Sequence, residues 1–387
     1  MKVCHFITRM IVGGAQENTF LSARGLVEAG HECLLLSGPS EGREGSLLQR
    51  MKNPGFAVME SPLFVREISP WTDLRAIYWL ADFLKKERFD VIHTHSSKAG
   101  IVGRIAGRMA GVPLVVHTIH GLAFGPYDSF LKNQLYIRAE RFAANRCDRI
   151  YSVAQAMIDQ CLAAKIGRPE QFKVVYSGME LERFLDAQPD AALRSELGIP
   201  ENCRVVGAVA RLFPRKGYED FFPVAAQVAR ACPDVRFLIM GDGPSRAAYE
   251  KMTEELGIRD RVIFAGLVSP DRIAEYIALT DVVAHFSLKE GLPRVAVQAL
   301  AEAKPVVAYP LDGTPEVVLD GKSGFLVPPG NHEAAAQALI RILEHPDERR
   351  GLGEYGRSLV WDKFPWKKMS DTLIADYEAC LAAKRKK

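Results

Sequence analysis

Short β-branched runs alternate with amphipathic helical patterns along almost the whole sequence, and the alternation starts afresh halfway along the chain. In the first half the predicted strands cover residues 2–7, 31–37, 91–95, 114–118, 149–153 and 173–176. In the second half they cover residues 205–210, 236–240, 261–264, 282–285, 306–308 and 324–327. Strands that alternate with helices indicate parallel sheets with crossover helices. The 387 residues therefore predict two doubly wound α/β domains, each with its own core.

The domain boundaries follow from a break in this pattern over residues 187–202, a stretch that carries Pro and Gly. We predict an N-terminal domain over 1–185, a C-terminal domain over 200–362, and a last helix with a basic tail over 363–387 that packs back toward the N-terminal domain. Ligands of doubly wound sheets bind beyond the carboxyl ends of the strands. Two such sheets that face each other would hold a ligand in a central cleft.

The composition is that of an ordinary globular protein, with 48% hydrophobic residues and a formal net charge of +3. A charge this small removes the simplest case for nucleic-acid binding. Seven cysteines without a C-x-x-C pair indicate reduced thiols in a cytoplasmic protein, and neither a signal peptide nor a membrane span is predicted. The first 180 residues carry 22 basic and 17 acidic side chains, which is either ordinary variation or a face for an anionic partner such as a membrane.

Gly13 and Gly14 follow the first predicted strand and lead directly into a helix predicted over 15–29. Glycine allows a ligand to approach the backbone, and a helix start offers N–H groups with a positive dipole end. These features suit a diphosphate, although a turn that merely needs glycine explains them equally well. The G-x-G-x-x-G dinucleotide pattern is absent from this loop.

Arg211 and Lys216 lie on either side of a short loop after the first strand of the second half. Two cations at a strand end can clamp a pyrophosphate and neutralise the charge that builds on a departing phosphate. Arg215 is adjacent and is equally explained as a solvated neighbour.

The most specific stretch runs from Glu290 to Gln298, after the strand predicted over 282–285. We predict a helix from about Leu292, so that the amides of Leu292, Arg294 and Val295 open it toward an anion. The carboxylate of Glu290 and the amide of Gln298 could both hydrogen-bond a polyhydroxylated ligand.

Four histidines, His93, His95, His117 and His120, lie at the ends of two predicted strands. No Cys or Asp joins them at ligand spacing, so no metal site is predicted. We expect His93 and His117 to pack in the sheet, and His95 and His120 to line the cleft. Lys98, at a predicted helix start, could hold an acceptor phosphate, but a simple helix cap explains this segment as well.

Taken in this order, the motifs resemble those of family 4 of the retaining glycosyltransferases, whose architecture of two Rossmann-like domains is called GT-B. The resemblance spans nearly the whole chain and rests on residues 13–15, 118–121, 211–217, 241–244 and 290–308. It implies that Gly14 offers its amide to the donor diphosphate and that Arg211 and Lys216 hold the phosphates of the leaving group. It also implies that Glu290 contacts the donor sugar and that His120 lies beside it on the acceptor side.

Two further positions follow from the resemblance. Val268 matches a position near the nucleobase. Gln298 stands where the family has a second glutamate that holds the ribose hydroxyls. An amide still hydrogen-bonds, but without charge assistance, which weakens donor binding by about 1 kcal/mol.

The function that the resemblance implies is transfer of a hexosyl or N-acetylhexosaminyl unit from a nucleotide-diphosphate sugar, with UDP favoured, to a hydroxyl acceptor. The acceptor would be a glycolipid or a polysaccharide precursor, and the enzyme would act with retention, without metal or cofactor, in the cytoplasm at the inner membrane face. Two alternatives stay open: a nucleotide-sugar-binding protein with little turnover, which Gln298 motivates, and a hydrolysing sugar-nucleotide epimerase of the same architecture. A nicotinamide oxidoreductase is disfavoured because neither half starts with the dinucleotide glycine pattern.

Overall fold

The chain folds into two compact units in the computed structural model, which describes residues 1–40, 45, 47–50, 54–185 and 187–386. The first unit combines residues 1–179 with 364–387, and the second consists of residues 180–363. Each unit contains one parallel sheet, so the prediction of two doubly wound α/β domains is confirmed.

The first sheet has seven strands in the order β3-β2-β1-β4-β5-β6-β7, and its strand pairings are parallel. The strands are β1 Lys2–Ile7, β2 Glu32–Ser37, β3 Ala57–Glu60, β4 Val91–His95, β5 Leu114–Ile119, β6 Arg149–Ser152 and β7 Phe172–Val174. The sequence did not predict β3. All four of its residues are exposed at the sheet edge, although three of them, Ala57, Val58 and Met59, are apolar.

The second sheet has six parallel strands in the order β10-β9-β8-β11-β12-β13. They are β8 Arg204–Val209, β9 Val235–Met240, β10 Val262–Gly266, β11 Val282–His285, β12 Val306–Ala308 and β13 Gly324–Leu326. All six match strands predicted from the sequence to within two residues at each end. Their buried Val, Ile and Phe side chains form a core with the flanking helices.

Helices cover both sheets and connect their strands. In the first unit they are α1 Gly14–Glu28, α2 Leu47–Arg50, α3 Pro70–Glu87, α4 Ser97–Ala110, α5 Phe130–Ala144 and α6 Gln155–Ala163. In the second unit they are α7 Glu182–Leu185, α8 Ala191–Glu196, α9 Tyr218–Ala231, α10 Arg246–Glu255, α11 Ile273–Ala278, α12 Arg294–Ala301, α13 His332–Glu344 and α14 Pro346–Lys363. Over the described ranges, none of the helices is both long and apolar enough to cross a bilayer.

The last helix, α15 Trp366–Arg385, returns to the first unit. Its apolar face belongs to the same buried core as β1 and α1. Asp376 of this helix accepts a hydrogen bond from the Tyr151 hydroxyl at 2.9 Å and pairs with Arg149 and Lys173 at 3.1 and 2.8 Å. The predicted return of the C-terminal helix to the N-terminal domain is therefore confirmed; Lys387 lies outside the described residues.

Candidate functional site

The second sheet has its switch point between β8 and β11. The two strands are neighbours, whereas the strands that follow each of them in sequence, β9 and β12, lie on opposite sides. The loops after such strands diverge and leave a crevice, which is where doubly wound sheets bind ligands. Arg211 and Lys216 lie in the loop after β8, and Glu290 lies in the loop after β11.

Lys216 and Glu290 contact each other in this crevice. Nζ of Lys216 lies 2.7 Å from Oε1 of Glu290, and Nε2 of His285 lies 4.0 Å from the same oxygen. Burial alone would raise the pKa of Glu290, but Lys216, His285 and a hydrogen bond from Ser287 together hold it below its ordinary value. Burial lowers the pKa of His285. At neutral pH the crevice therefore contains an ammonium, a carboxylate and an uncharged imidazole.

Backbone contacts between the loops fix the position of Glu290. Its N–H donates to the Asp312 carboxylate at 2.8 Å, from the segment after β12. Gly217, which precedes α9, has φ of 87°, and a Cβ there would lie 2.3 Å from the backbone carbonyl group of Phe286. Only glycine fits such a conformation at this distance. The loop after β8 can therefore lie against the loop after β11, which brings Lys216 to Glu290.

Arg211 and Val268 lie in loops at the same sheet edge. The Arg211 side chain is exposed, and its guanidinium lies 5.0 Å from the centre of the Phe213 ring. Val268, in the segment after β10, is half-buried, and a backbone bridge between Gly241 and Gly266 joins this segment to the loop after β9. The phosphate role of Arg211 and the nucleobase role of Val268 stay predictions.

Helix α12 begins at Arg294, two residues later than predicted. Pro293 occupies the N-cap with ψ of 92°, and a proline disfavours helical geometry in the residue before it. Leu292 therefore lies ahead of the helix, and its amide is not part of the helix start. Its side chain is buried. The amides of Arg294 and Val295 do lie in the first turn, and Gln298 follows one turn later with a partly exposed side chain.

The first sheet has its own switch point, between β1 and β4. Gly13 is the N-cap of α1 and Gly14 is its first residue, so the two glycines do form a loop-to-helix start. Across the switch point, Ser96 caps α4 with φ of 64°, and its hydroxyl lies 2.8 Å from that of Thr8. Left-handed backbone at a non-glycine residue is costly and is common at functional sites.

Lys98 lies in the first turn of α4 but is already paired. Its ammonium is 2.6 Å from Oδ1 of Asp73 and donates to the carbonyl of Glu67. An acceptor phosphate would have to share this cation with Asp73, so the acceptor role of Lys98 stays a prediction.

The histidines divide into buried and accessible members. His120, after β5, is half-buried and lines a cavity of about 290 Å³ together with Ser96 and Ser97. His93 and His117 are buried, as predicted. The expectation that His95 lines the binding surface is wrong. Its side chain is fully buried, and its two ring nitrogens lie 2.9 Å from nitrogens of His5 and His120.

Several residues of these sites were missed in the sequence, among them two histidines and an aspartate. His5 lies on β1 opposite His93, His285 ends β11, and Asp312 supports the Glu290 loop. His285 could have been found, since it is a polar residue at the carboxyl end of a strand beside the most specific motif. His5 and Asp312 depend on strand register and on contacts distant in sequence, which a single sequence does not give.

Two family models match the chain. The model described as glycosyl transferase 4-like domain covers residues 13–178, and the model described as glycosyl transferases group 1 covers residues 190–359. Together they cover most of both units, including the loops after β8 and β11.

Individual proteins of known name are also similar to the chain in sequence. The chain is 32% identical over 288 residues to an Escherichia coli UDP-Gal:alpha-D-GlcNAc-diphosphoundecaprenol alpha-1,3-galactosyltransferase, covering 73% of this chain and 74% of the relative. It is 27% identical over 366 residues to alpha-D-kanosaminyltransferase from Streptomyces kanamyceticus, covering 90% and 94% of the two chains. Among solved structures, Anabaena HepE in complex with UDP has a TM-score of 0.83 at 24% identity, over 98% of this chain and 100% of that one. That likeness shows the fold, two Rossmann-like units of the GT-B type.

Proposed function

Because the chain belongs to the family 4 glycosyltransferases, we propose that it transfers a hexosyl or N-acetylhexosaminyl unit from a UDP-sugar to a hydroxyl group of a lipid-linked acceptor, with retention of configuration. The observation that most supports this proposal is the contact between Lys216 and Glu290 at a switch point. A cation suits the pyrophosphate of such a donor, and a carboxylate beside it suits the sugar hydroxyls. The pair therefore offers one charged group for the diphosphate and one for the sugar of a nucleotide-diphosphate sugar.

The donor side supplies positive charge to the leaving group. Breaking the bond between the sugar and the phosphate builds negative charge on the β-phosphate of UDP. Lys216 and Arg211, with the first amides of α12, would stabilise this charge as it forms. In other enzymes a divalent cation neutralises such a phosphate charge. Because these groups would neutralise it here, we expect transfer to proceed without metal.

The sugar side holds the donor and admits the acceptor. Glu290 stays ionised and would accept hydrogen bonds from sugar hydroxyls. In the reaction the bond from C1 of the sugar to the phosphate oxygen breaks, and the bond from C1 to the acceptor oxygen forms on the same face. The departing phosphate takes the acceptor proton, so the anomeric configuration is retained. His120 would lie beside the transferred sugar on the acceptor side.

The choice of UDP and of a lipid-linked acceptor draws on the Escherichia coli relative, whose name gives UDP-Gal as donor and a diphosphoundecaprenol-linked GlcNAc as acceptor. The first unit offers a groove of about 480 Å³ that suits such a molecule. Arg9, Arg66 and Lys98, the last of which is paired with Asp73, line it together with the apolar Ile68 and Leu135. Cations suit a diphosphate, and apolar side chains suit a lipid chain.

Exposed apolar side chains beside this groove favour contact with a membrane face. On α3 and the residues before it, Trp71, Tyr78 and Ile68 are 81%, 60% and 66% exposed, and on α5 Leu131 and Leu135 are 80% and 61% exposed. Such large apolar faces on helices are rare without a partner. The same helices expose the basic residues Arg75, Lys132 and Arg138, so we propose that they rest on an anionic bilayer at the cytoplasmic face.

The proposal is tested by incubating the protein with UDP-, GDP- and ADP-sugars and lipid-linked acceptors, with and without EDTA. We expect UDP release that depends on the acceptor and resists EDTA, and a product whose anomeric proton keeps the coupling of the donor. Flotation with anionic and neutral vesicles measures membrane contact, with Leu131→Ser and Leu135→Ser as the variants expected to weaken it.

Each alternative has its own signature in this assay. A binding protein would be thermally stabilised by the donor but would release no UDP with any acceptor. An epimerase would convert the donor without acceptor. Inversion of the anomeric centre, or complete loss of turnover in EDTA, would contradict the mechanism.

A further inference from the structure

Three imidazoles form a hydrogen-bonded chain that leads from the core of the first unit to His120. Nδ1 of His5 lies 2.9 Å from Nε2 of His95, and Nδ1 of His95 lies 2.9 Å from Nε2 of His120. The three residues come from β1, from β4 and from the position after β5, which are adjacent in the sheet. His5 and His95 are fully buried. Only the last member of the chain reaches the cavity described above.

The far end of the chain sets the direction of its hydrogen bonds. Nε2 of His5 is buried and has no hydrogen-bond partner among the described residues. An unpaired buried N–H is rarer and more costly than an unpaired acceptor, so the proton of His5 belongs on Nδ1. His5 therefore donates to His95, and His95 in turn donates from Nδ1 to Nε2 of His120.

We propose that His5 and His95 are positioning residues that hold His120 in one orientation and as the Nδ1–H tautomer. The inference rests on the proposed function, because His120 belongs to the sugar site only through that proposal. With Nε2 occupied as an acceptor, a neutral His120 presents Nδ1–H, a donor, to its surroundings. A donor at this position can hydrogen-bond a sugar hydroxyl, and its direction is set by the buried chain.

Burial keeps His5 and His95 uncharged. Burial lowers the pKa of His5 to about 3 and also lowers the pKa values of His93 and His95, with smaller contributions from the neighbouring imidazoles. His93 packs against both residues and bonds the Tyr377 hydroxyl of α15 and the Thr118 hydroxyl of β5. His5 and His95, the two buried members of the hydrogen-bonded chain, are therefore neutral in the pH range in which an enzyme is assayed.

A metal ion is a poorer explanation of this cluster, although nitrogens of His5, His93 and His95 lie within 4.8 Å of one another. Both nitrogens of His93 are hydrogen-bonded to hydroxyl groups. The separation of 2.9 Å between His5 and His95 is a hydrogen-bond length, whereas two nitrogens on one tetrahedral zinc lie about 3.3 Å apart at bond lengths of about 2.0 Å.

Paired amide substitutions test the proposal, because the amide of Asn occupies the Nδ1 position of histidine and the amide of Gln occupies the Nε2 position. His95→Asn keeps a donor for His120, whereas His95→Gln loses it. His5→Asn keeps the bond to His95, and His5→Gln loses it. His117 is equally buried but bonds Thr94 and the backbone on β4, so His117→Gln is the matched control for loss of a buried imidazole.

We expect His5→Gln and His95→Gln to lower kcat by about 10- to 100-fold, the range found when the partner that orients a metal-bound imidazole is lost. The KM for the donor should stay the same, and both Asn variants should recover most of kcat. His117→Gln should lower the melting temperature but leave kcat unchanged. Equal kcat in the Asn and Gln variants at similar melting temperatures would overturn the proposal.

Long-range ¹H–¹⁵N spectra of the wild-type protein test the tautomers without any turnover. We expect Nδ1–H for His5, His95 and His120. Nε2–H at His120, or one equivalent of bound zinc in the purified protein, would overturn the chain as described. A wild-type protein without transferase activity would sink the proposed function, and the spectra would then decide the hydrogen-bonded chain alone.

Discussion

Lys216 and Glu290 are 74 residues apart in sequence, yet their charged groups meet at 2.7 Å across the switch point of the second sheet. The sequence predicted one of them for the phosphates of a donor and the other for its sugar. In the structure each neutralises the other. Under the proposed function, the pyrophosphate would compete with Glu290 for the ammonium, and the carboxylate would become available for hydroxyl groups as the ammonium moves. Donor binding would exchange an internal ion pair for two contacts with the ligand.

Lys216→Ala should lower kcat about 10²- to 10³-fold, the loss typical when one preorganised group that stabilises transition-state charge is removed. Donor affinity should fall much less, because Arg211 and the first amides of α12, which we expect to hold the phosphates, are unchanged. Steady-state kinetics and donor titration by calorimetry measure the two effects separately. Arg215→Asn is the control: Arg215 is exposed with φ of 70°, a conformation that Asn tolerates. An unchanged kcat in Lys216→Ala would remove the residue from the catalytic role.

Gln298→Glu should tighten donor binding. The side chain is partly exposed one turn into α12, and a carboxylate there would give the ribose hydroxyls a charge-assisted acceptor in place of a neutral one. The gain expected is about 1 kcal/mol, or roughly fivefold in Kd. Titration with UDP measures it, and a UDP analogue without ribose hydroxyls should bind both forms equally. Weaker binding of UDP by the variant would show that Gln298 does not face the ribose.

Much of the fold was predictable because the strands of doubly wound sheets are buried on both faces and so carry a strong apolar signal. The prediction omits the edge strand β3, although three of its four residues are apolar. Helix α12 starts two residues later than predicted because Pro293 occupies the N-cap and not the first turn.

The site was predictable where local motifs mark it and not where strand register decides. Glu290 and Lys216 each follow a buried strand beside a glycine, and their contact follows from the order of β8 and β11. The prediction that His95 lines the cleft is wrong because nothing in the sequence shows that His5 lies beside it. The register of β1 against β4 brings these two rings together, and that register is set by packing across the whole sheet.

Glu302→Gln should stabilise the protein at alkaline pH. The Glu302 carboxyl is buried at the end of α12, and its oxygens have no hydrogen-bond partner among the described residues. Burial raises its pKa to about 9, although the nearby Lys304 acts in the opposite direction. Between about pH 4.5 and 9 the folded state therefore keeps a proton that the unfolded state has already released. Because of this, the free energy of unfolding of the wild type falls by about 1.4 kcal/mol per pH unit as pH rises through this range.

Urea unfolding at pH 5 and pH 8 measures this slope. The stability difference between Glu302→Gln and the wild type should grow by about 2–4 kcal/mol from the lower to the higher pH. The exposed Glu354→Gln, on the neighbouring helix α14, should leave the slope unchanged. A difference that is the same at both pH values would mean that Glu302 ionises normally in the folded protein.

The buried histidines should destabilise the first unit in acid. Burial lowers the pKa values of His5, His93, His95 and His117, so below about pH 6.5 the unfolded chain binds protons that the folded chain does not. The histidines therefore do not lower the free energy of unfolding above that pH. As pH falls below it, the free energy of unfolding decreases by up to about 1.4 kcal/mol per pH unit for each histidine. Denaturation between pH 7.5 and 5, in the Glu302→Gln background so that the opposite slope of that carboxyl is absent, measures the sum. His117→Gln should reduce the dependence of the unfolding free energy on pH by the equivalent of one proton. The matched control is the exposed His345→Gln, which should leave this dependence unchanged. Equal slopes in the two variants would show that His117 titrates normally in the folded state.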